Sequence, residues 1–420
     1  MRGEAYHVRR SVLLIAGLIF CAFNLDGQSP LQQLSETHQF FRLRDAVGAR
    51  QTATTDFYTG EVACAFNQTA ACKEAFKRVL SANSTSATAK QIHHILAYVA
   101  LREGRYTDAL RQFDAILAID PNDSDARDTR PIVEGLSHFP NTFAQTGDRN
   151  NPVVHMDGGK LPLAINRHKA FFYFDTGANL STIAESEASR FGMEIRDVTS
   201  GGAMHDINAN KVSLRLALAN TIELAAVQLH DVAFLVVSDQ QQPFVNMKPG
   251  ERGLIGLPVL LALRSVKWTK AGTFESAAGA PVDLATANIC FDDLSLVTQA
   301  RFGPQNLPFV LDTGAATTEL WPTFQLAAAD MIRNFGTDET HTVSGVGGSQ
   351  EFKSIALPNV TLELGGQSVT LKPAHILKSY AGEPSRWYYG NLGVDLLKQA
   401  NSVTLDFRSM ILTLEPSRAH

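Results

Sequence analysis

The sequence has few cysteines, no run of like charges and no catalytic motif of the metal or serine hydrolases. Its 12 histidines include no H-E-x-x-H and its 4 cysteines no C-x-x-C, the spacings that typically hold zinc. G-x-S-x-G, which marks a serine nucleophile in α/β-hydrolases, is also missing. We therefore expect no metal ligands, no cofactor and no serine triad.

Basic patches are missing as well, and the formal net charge is -5. Proteins that bind nucleic acid usually present a concentrated positive surface, so we expect no nucleic-acid partner. Hydrophobic residues make up 45% of the chain and charged residues 19%, a composition typical of folded globular proteins. At 420 residues the chain is long enough for two or three domains.

The only markedly apolar segment near the N-terminus spans residues 11 to 23 and follows Arg2, Arg9 and Arg10. It is shorter than the roughly 20 residues that cross a bilayer, and it has the length of the hydrophobic region of a signal peptide. We predict export to the periplasm or the medium, with cleavage after Gly27. The alternative is an uncleaved N-terminal membrane anchor.

Three cysteines follow this leader. Cys64 and Cys72 lie close together in a segment with helical character, and an oxidising compartment would allow them to pair. The sequence leaves open whether they do. Cys290 stands among apolar residues, which favours a buried small side chain over a nucleophile.

Residues 89 to 123 have apolar or small side chains at helical spacing, interrupted at Gly104 and Arg105, which predicts two helices. Part of this pattern resembles a tetratricopeptide repeat. The residues that carry the resemblance are Gly104, Tyr106, Ala109, Phe113 and Pro121.

A single repeat cannot bury its apolar face, so the helical stretches 61 to 80 and 124 to 137 are expected to stack on it as degenerate repeats or caps. The resemblance implies a possible protein partner for this region. The alternative is an unrelated helical hairpin.

After residue 152 the sequence changes to short β-type apolar runs, and this half contains an internal repeat. Asp175-Thr176-Gly177-Ala178 recurs as Asp312-Thr313-Gly314-Ala315, an offset of 137 (312 minus 175). The same offset relates Gly256 to Gly393 and Ser265-Val266 to Ser402-Val403. One D-T-G is a weak motif, but two copies in register with a downstream glycine block indicate duplicated lobes.

These motifs resemble those of the pepsin and retropepsin aspartic peptidases. In that family an apolar strand leads into a D-[TS]-G-[AS] loop, and two apolar residues followed by glycine brace the loop from below. Here the strands are Phe171 to Phe174 and Pro308 to Leu311. The braces are Leu254-Ile255-Gly256 and Asn391-Leu392-Gly393.

The resemblance implies a multidomain chain with a mainly β bilobal acid-peptidase fold, two closed β-barrel lobes behind an N-terminal α-helical repeat domain. The predicted boundaries are a signal peptide at 1 to 27, a helical domain at 28 to 139, a linker at 140 to 151, and lobes at 152 to 276 and 277 to 420. Both halves of the active site then come from one chain, which is expected to act as a monomer.

The resemblance also implies roles for the loop residues. Asp175 and Asp312 would form the catalytic dyad, and Thr176 and Thr313 would hydrogen-bond across the lobe interface. Gly177 and Gly314 would allow the tight turn. The alanines after both D-T-G motifs, where many pepsins have serine, imply activity in mildly rather than strongly acid conditions.

Supporting residues are implied on both sides of the loops. The braces depend on Ile255, Gly256, Leu392 and Gly393. Asn391 replaces an apolar brace residue and is not expected to contact the catalytic aspartate. Candidate flaps, which are equally well explained as hairpin turns, contain Gly201, Gly202, Gly345, Gly347 and Gly348.

The predicted function is that of an aspartic endopeptidase. Two carboxyl groups that share one proton can activate a water and polarise a carbonyl together. The substrate would be an extended polypeptide. The alternative is an inactive peptide-binding protein in which the helical region serves as an adaptor.

Overall fold

The computed structural model describes residues 29–48, 56–82, 84–146, 153–198, 204–205, 211–212, 215–225, 227–345, 348–379 and 386–416. The predicted leader lies outside these ranges, and so do Gly201, Gly202 and Gly347. Within them, no helix combines the length and apolar character needed to cross a membrane.

Helices occupy the N-terminal part of the described chain. Their bounds are α1 (Pro30–Glu36), α2 (Phe40–Gly48), α3 (Asp56–Ala65), α4 (Thr69–Ala82), α5 (Ala87–Arg102), α6 (Tyr106–Ile119) and α7 (Ser124–Ser137). The side chains of Ser29, Ser86 and Asp123 accept backbone N–H groups at the starts of α1, α5 and α7. Gly104 adopts φ +67 between α5 and α6, a conformation that glycine allows without strain. The helices predicted within 89 to 123 are therefore confirmed.

The sequence left open whether Cys64 and Cys72 pair, and the structure shows that they do. Cys64 in α3 and Cys72 in α4 form a disulfide with their Cα atoms 5.1 Å apart. Cys290 is a free, fully buried thiol, as its apolar neighbours predict.

The helices share hydrophobic cores with the β-region that follows. Phe41 and Phe66 belong to the large cluster that also fills the β-sheets. Arg102, at the end of α5, is buried, donates to the carbonyl of Cys64, and lies 4.4 Å from the ring centroid of Phe291. The helical region is thus packed against the β-region as an integral part of the molecule.

The β-region begins within the predicted linker, because residues 143 to 146 form a strand. The elements of its first half are β1 (Phe143–Thr146), β2 (Val154–His155), β3 (Leu161–Ile165), β4 (His168–Phe174), β5 (Ser181–Ala184), α8 (Glu185–Arg190), β6 (Glu194–Asp197), β7 (Met204–His205), β8 (Lys211–Val212), β9 (Arg215–Leu224), β10 (Val227–Val237), β11 (Gly253–Ile255), α9 (Leu257–Ala262), β12 (Ser265–Thr269) and β13 (Thr273–Ala277). Strand β1 adds to the edge of β10, where the ring of Phe143 stacks on His230 at 4.5 Å.

The second half repeats this arrangement in part. Its elements are β14 (Ile289–Asp292), β15 (Ser295–Phe302), β16 (Gln305–Leu311), β17 (Glu319–Leu320), α10 (Phe324–Ala327), α11 (Ala329–Phe335), β18 (Thr337–Gly345), β19 (Gly348–Leu357), β20 (Val360–Leu364), β21 (Gln367–Leu371), β22 (Ala374–Leu377), β23 (Gly390–Leu392), α12 (Val394–Leu397), β24 (Ser402–Asp406) and β25 (Ile411–Glu415).

Two large sheets form what we call the first and second β-units. The first has the order β1-β10-β5-β11-β4-β3-β9-β6, and the second β18-β19-β22-β17-β23-β16-β15-β20-β21, with β14 beside β15. The central order β10-β5-β11-β4-β3 of the first unit corresponds to β22-β17-β23-β16-β15 of the second. The duplicated sequence therefore folds into two copies of the same strand arrangement.

The predicted closed barrel is observed in the first β-unit, where β9 also pairs with β10. In the second β-unit the counterpart of this pairing is divided in two, because β20 pairs with β21 and β19 with β22. Residues 358–359 separate β19 from β20, and residues 372–373 separate β21 from β22. The second β-unit therefore has the strand pairings of the first with two interruptions.

A third sheet, which we call the joining sheet, links the ends of the two copies in the order β2-β13-β12-β24-β25. At its centre Lys267 of β12 faces Thr404 of β24, and these residues are equivalent under the 137-residue offset. Ser265 faces Asp406 and Thr269 faces Ser402. The two strands therefore pair about a local two-fold axis.

Candidate active site

Each D-T-G loop begins where a central strand ends. Strand β4 ends at Phe174 and β16 at Leu311. The N–H of Asp175 donates to the carbonyl of Ile255 at 2.8 Å, and the N–H of Asp312 to that of Leu392 at 3.0 Å. The brace strands thus hold both aspartates by equivalent main-chain bonds.

The threonines connect the two loops reciprocally. The N–H of Thr176 donates to Oγ1 of Thr313 at 3.0 Å, and the N–H of Thr313 donates to Oγ1 of Thr176 at 3.0 Å. Their hydroxyls donate to the carbonyls of Leu311 and Phe174, at 2.8 Å and 3.2 Å. Four bonds with two-fold symmetry therefore lock the loops together.

The glycines allow the loops to approach each other. A Cβ atom on Gly177 would lie 2.8 Å from Cγ of Asp312, and one on Gly314 would overlap the carboxyl group of Asp175. No ordinary side chain fits at either position. Each loop therefore presents its glycine to the aspartate of the other loop.

The two carboxyl groups each lie against the glycine of the other loop, close enough to influence each other's charge. Burial, and then the charge of Asp312, raise the pKa of Asp175 to about 7, while the N–H of Gly177 opposes the shift. That N–H donates to Oδ1 of Asp175 at 2.8 Å. A pair of this kind can hold one proton near neutral pH, with Asp175 as the protonated member.

Asp312 has a richer set of donors. Oδ1 accepts the N–H groups of Gly314 at 2.9 Å and Ala315 at 3.1 Å, and Oδ2 accepts Nδ2 of Asn391 at 2.9 Å. The expectation that Asn391 would not contact the aspartate is therefore wrong, because a short polar side chain on β23 reaches the loop above it.

Two buried hydroxyl groups behind the loops were not predicted from the sequence. Oγ of Ser181 accepts the N–H of Gly256 at 3.0 Å, and Oγ1 of Thr318 accepts the N–H of Gly393 at 2.9 Å. Ser181 and Thr318 are themselves 137 residues apart, so the internal offset was a signal that could have identified them.

The candidate flaps are only partly described. Gly345 and Gly348 face each other as the last and first residues of β18 and β19. Gly347 lies outside the described residues. In the first β-unit, Gly201 and Gly202 precede the short pair β7–β8 and are likewise outside them.

Comparisons with known proteins point in the same direction as the motifs. A sequence model of the family described as "gag-polyprotein putative aspartyl protease" matches residues 161–261, a range that includes Asp175 and Gly256. This match supports a retropepsin-like aspartic-protease domain in the first β-unit.

Solved structures of retropepsins are also similar to part of the chain. A retropepsin-like aspartic protease from Rickettsia conorii matches with 15% identity and a TM-score of 0.22, over 32% of this chain and 92% of that chain. The EIAV protease in complex with the inhibitor HBY-793 matches with 21% identity and a TM-score of 0.18, over 25% of this chain and 86% of that chain. No curated protein sequence matches.

Proposed function

We propose that the protein is an aspartic endopeptidase whose two β-units are the lobes of a single active site. The observation that carries this proposal is that Asp175 and Asp312, from the two copies of one motif, lie beside each other between loops locked by Thr176 and Thr313. The match to an aspartic-protease family over residues 161–261 supports the same class of chemistry.

In this proposal the dyad holds one proton, and its two members have different tasks. Asp312, which accepts three hydrogen bonds, takes a proton from a water molecule as the water oxygen attacks the peptide carbonyl. Asp175, kept protonated by its raised pKa, donates its proton to the carbonyl oxygen. As the C–N bond of the tetrahedral intermediate breaks, Asp312 gives its proton to the leaving nitrogen and Asp175 takes a proton back from a hydroxyl of the intermediate, which restores the dyad.

The substrate would be a polypeptide in extended conformation, since main-chain pairing with hairpin edges tolerates many sequences. The hairpin β18–β19, with Gly345 and Gly348 near its tip, would be one flap. We also propose export of the chain through its N-terminal leader, and a tetratricopeptide-like helical domain that packs on the peptidase and offers a surface to a protein partner.

A cleavage assay on an unfolded protein substrate tests this function. The full-length chain is assayed from about pH 3 to 7 beside Asp175→Asn and Asp312→Asn, and Asp197→Asn in the edge strand β6 is the matched control. Each dyad variant should lose at least about 10²-fold in kcat/KM, the usual contribution of a positioned acid or base. The control should retain activity.

Other outcomes decide between the alternatives. Full activity in either dyad variant would remove the dyad from the chemistry. A chain that binds peptides but cleaves none at any pH would favour the peptide-binding alternative. Complementation between Asp175→Asn and Asp312→Asn chains would show that the active site forms between molecules and not within one.

A further inference from the structure

Four polar side chains converge at the base of the β18–β19 hairpin. They are Glu319 of β17, Glu339 and His341 of β18, and His375 of β22. Nε2 of His341 lies 3.1 Å from Oε1 of Glu319, and Nδ1 of His375 hydrogen-bonds to Oε1 of Glu339. The imidazole rings stack with centroids 4.2 Å apart and planes 13° apart.

The spacing of these groups suits a single small cation. One ligand atom each of Glu339, His341 and His375 lies within 4.8 Å of the other two. Zinc holds nitrogen and oxygen ligands at about 2.0 to 2.2 Å in a tetrahedron, so small side-chain rotations would bring the atoms into contact with one ion. The side chains of His341 and His375 are 17% and 24% exposed, which leaves a path for entry.

An independent observation concerns the second carboxylate oxygen of Glu319, which His341 does not contact. The side chain of Glu319 is only 9% exposed, and its Oε2 is buried without a hydrogen-bond partner. A buried carboxylate oxygen with no partner is unfavourable. The equivalent residue of the first β-unit is Thr182, which brings no charge to this position.

The kinds of ligand define the class of ion. Two imidazoles with carboxylates suit borderline divalent transition metals, zinc above all. Calcium and magnesium prefer sites made of oxygen atoms alone. Since the ligands come from three separate strands, with His341 and His375 34 residues apart (375 minus 341), a search for local motifs does not find them.

The described chain contains a second group with metal-like spacing, formed by His94, Asp123 and Asp125. There the ammonium group of Lys90 already donates to Asp123 at 3.1 Å and to Asp120 at 2.8 Å. The negative charge is thus compensated by a lysine. This group serves as a control and not as a rival proposal.

We propose that Glu339, His341 and His375, with Glu319 on the inner side, bind one zinc-type divalent cation. The ion would link the β18–β19 hairpin to β22 and to β17, the strand that follows the second D-T-G loop. This site does not depend on the proposed peptidase activity, because none of its ligands belongs to the dyad loops.

Zinc binding by the full-length chain tests the proposal. The protein carries Asp175→Asn, which prevents self-digestion and removes one carboxylate of the dyad, and it is stripped with a chelator before titration with zinc chloride by calorimetry. We expect one equivalent to bind and the Tm to rise with zinc. His341→Gln and His375→Gln should each weaken binding by at least about 100-fold, and His94→Gln should leave it unchanged.

Far-UV circular dichroism and the Tm without zinc establish that each variant is folded. If a histidine variant unfolds, Glu339→Gln replaces it and should likewise weaken binding. The proposal is overturned if no zinc binds, if binding survives loss of both histidines, or if His94→Gln abolishes it. None of these results bears on whether the dyad cleaves peptides, which the cleavage assay measures separately.

Discussion

The two β-units differ on one face, at three neighbouring positions around the strand that follows each D-T-G loop. In the first unit Leu254 joins an apolar cluster with Val237 and Phe244. In the second unit the same face is polar, and Asn391 reaches Asp312 in the second D-T-G loop. The corresponding sets are Thr182, Leu254 and Leu235 in the first unit, and Glu319, Asn391 and His375 in the second.

This difference shows which features the duplicated fold requires twice and which it does not. The aspartates, threonines and glycines of the loops are the same in both copies, because each contacts the other loop across a local two-fold axis. The face behind the loops contacts only its own unit, so it is free to differ. The result is a symmetric scaffold around a chemically asymmetric pair.

The largest effect of this asymmetry should be on the pH dependence of the protein's free energy of unfolding. Because the pKa of Asp175 is raised to about 7, the folded state holds a proton there that the unfolded chain releases near pH 4. The free energy of unfolding should therefore fall as pH rises between about 4 and 7. Asp175→Asn removes this term, which is at most about 1.4 kcal/mol per pH unit.

Urea unfolding of the wild type and Asp175→Asn at several pH values measures this effect. The stability of the variant relative to wild type should increase from pH 4 to pH 7 and then level off. Glu61 and Asp293, whose pKa values burial also raises to about 7, are present in both proteins and cancel in the comparison. A constant difference across this range would show that Asp175 ionises normally.

The hydrogen bonds of Thr176 and Thr313 should, in contrast, contribute equally to the free energy of unfolding, because the two loops form them reciprocally. Thr176→Val and Thr313→Val each leave a buried N–H of the other loop without its acceptor. Each should cost about 2 kcal/mol in the free energy of unfolding, and the two values should agree closely. Thr340→Val, on an exposed position of β18, is the matched control. Clearly unequal costs would mean that the loops are not equivalent.

The pairing of the two loops could be predicted from the sequence, because an internal repeat relates segments that are far apart in the chain. Two motifs and two glycine blocks at one offset predict paired loops, and the structure brings Asp175 and Asp312 together. Local signals were equally direct in the helical region, where Gly104 marks the break between α5 and α6.

Features that differ between the copies could not be predicted in this way. Asn391 departs from the brace pattern in the sequence. Whether its amide reaches Asp312 depends on how far β23 lies below the loop, which the sequence does not give. His341 and His375 meet only because a hairpin folds over a neighbouring strand. Neither of these is a periodic or local property of the sequence.

The smallest expected effect is also the most specific test of the difference between the units. Asn391→Leu gives the second unit the brace residue of the first and removes one donor from Oδ2 of Asp312. The value of kcat/KM should fall by up to about ten-fold, since a hydrogen bond to a charged group contributes about 1.5 kcal/mol. The alkaline limb of the kcat/KM profile, governed by the raised pKa of Asp175, should stay in place.

The reciprocal change, Leu254→Asn, separates a direct effect from a loss of packing. It places a donor beside Asp175 and should lower the alkaline limb of the kcat/KM profile, although a polar group in the apolar cluster will also reduce stability. A merely structural role for Asn391 would lower the Tm of Asn391→Leu together with its kcat/KM. An alkaline limb that moves in Leu254→Asn and not in Asn391→Leu would mean that the brace residue acts on the aspartate of its own loop.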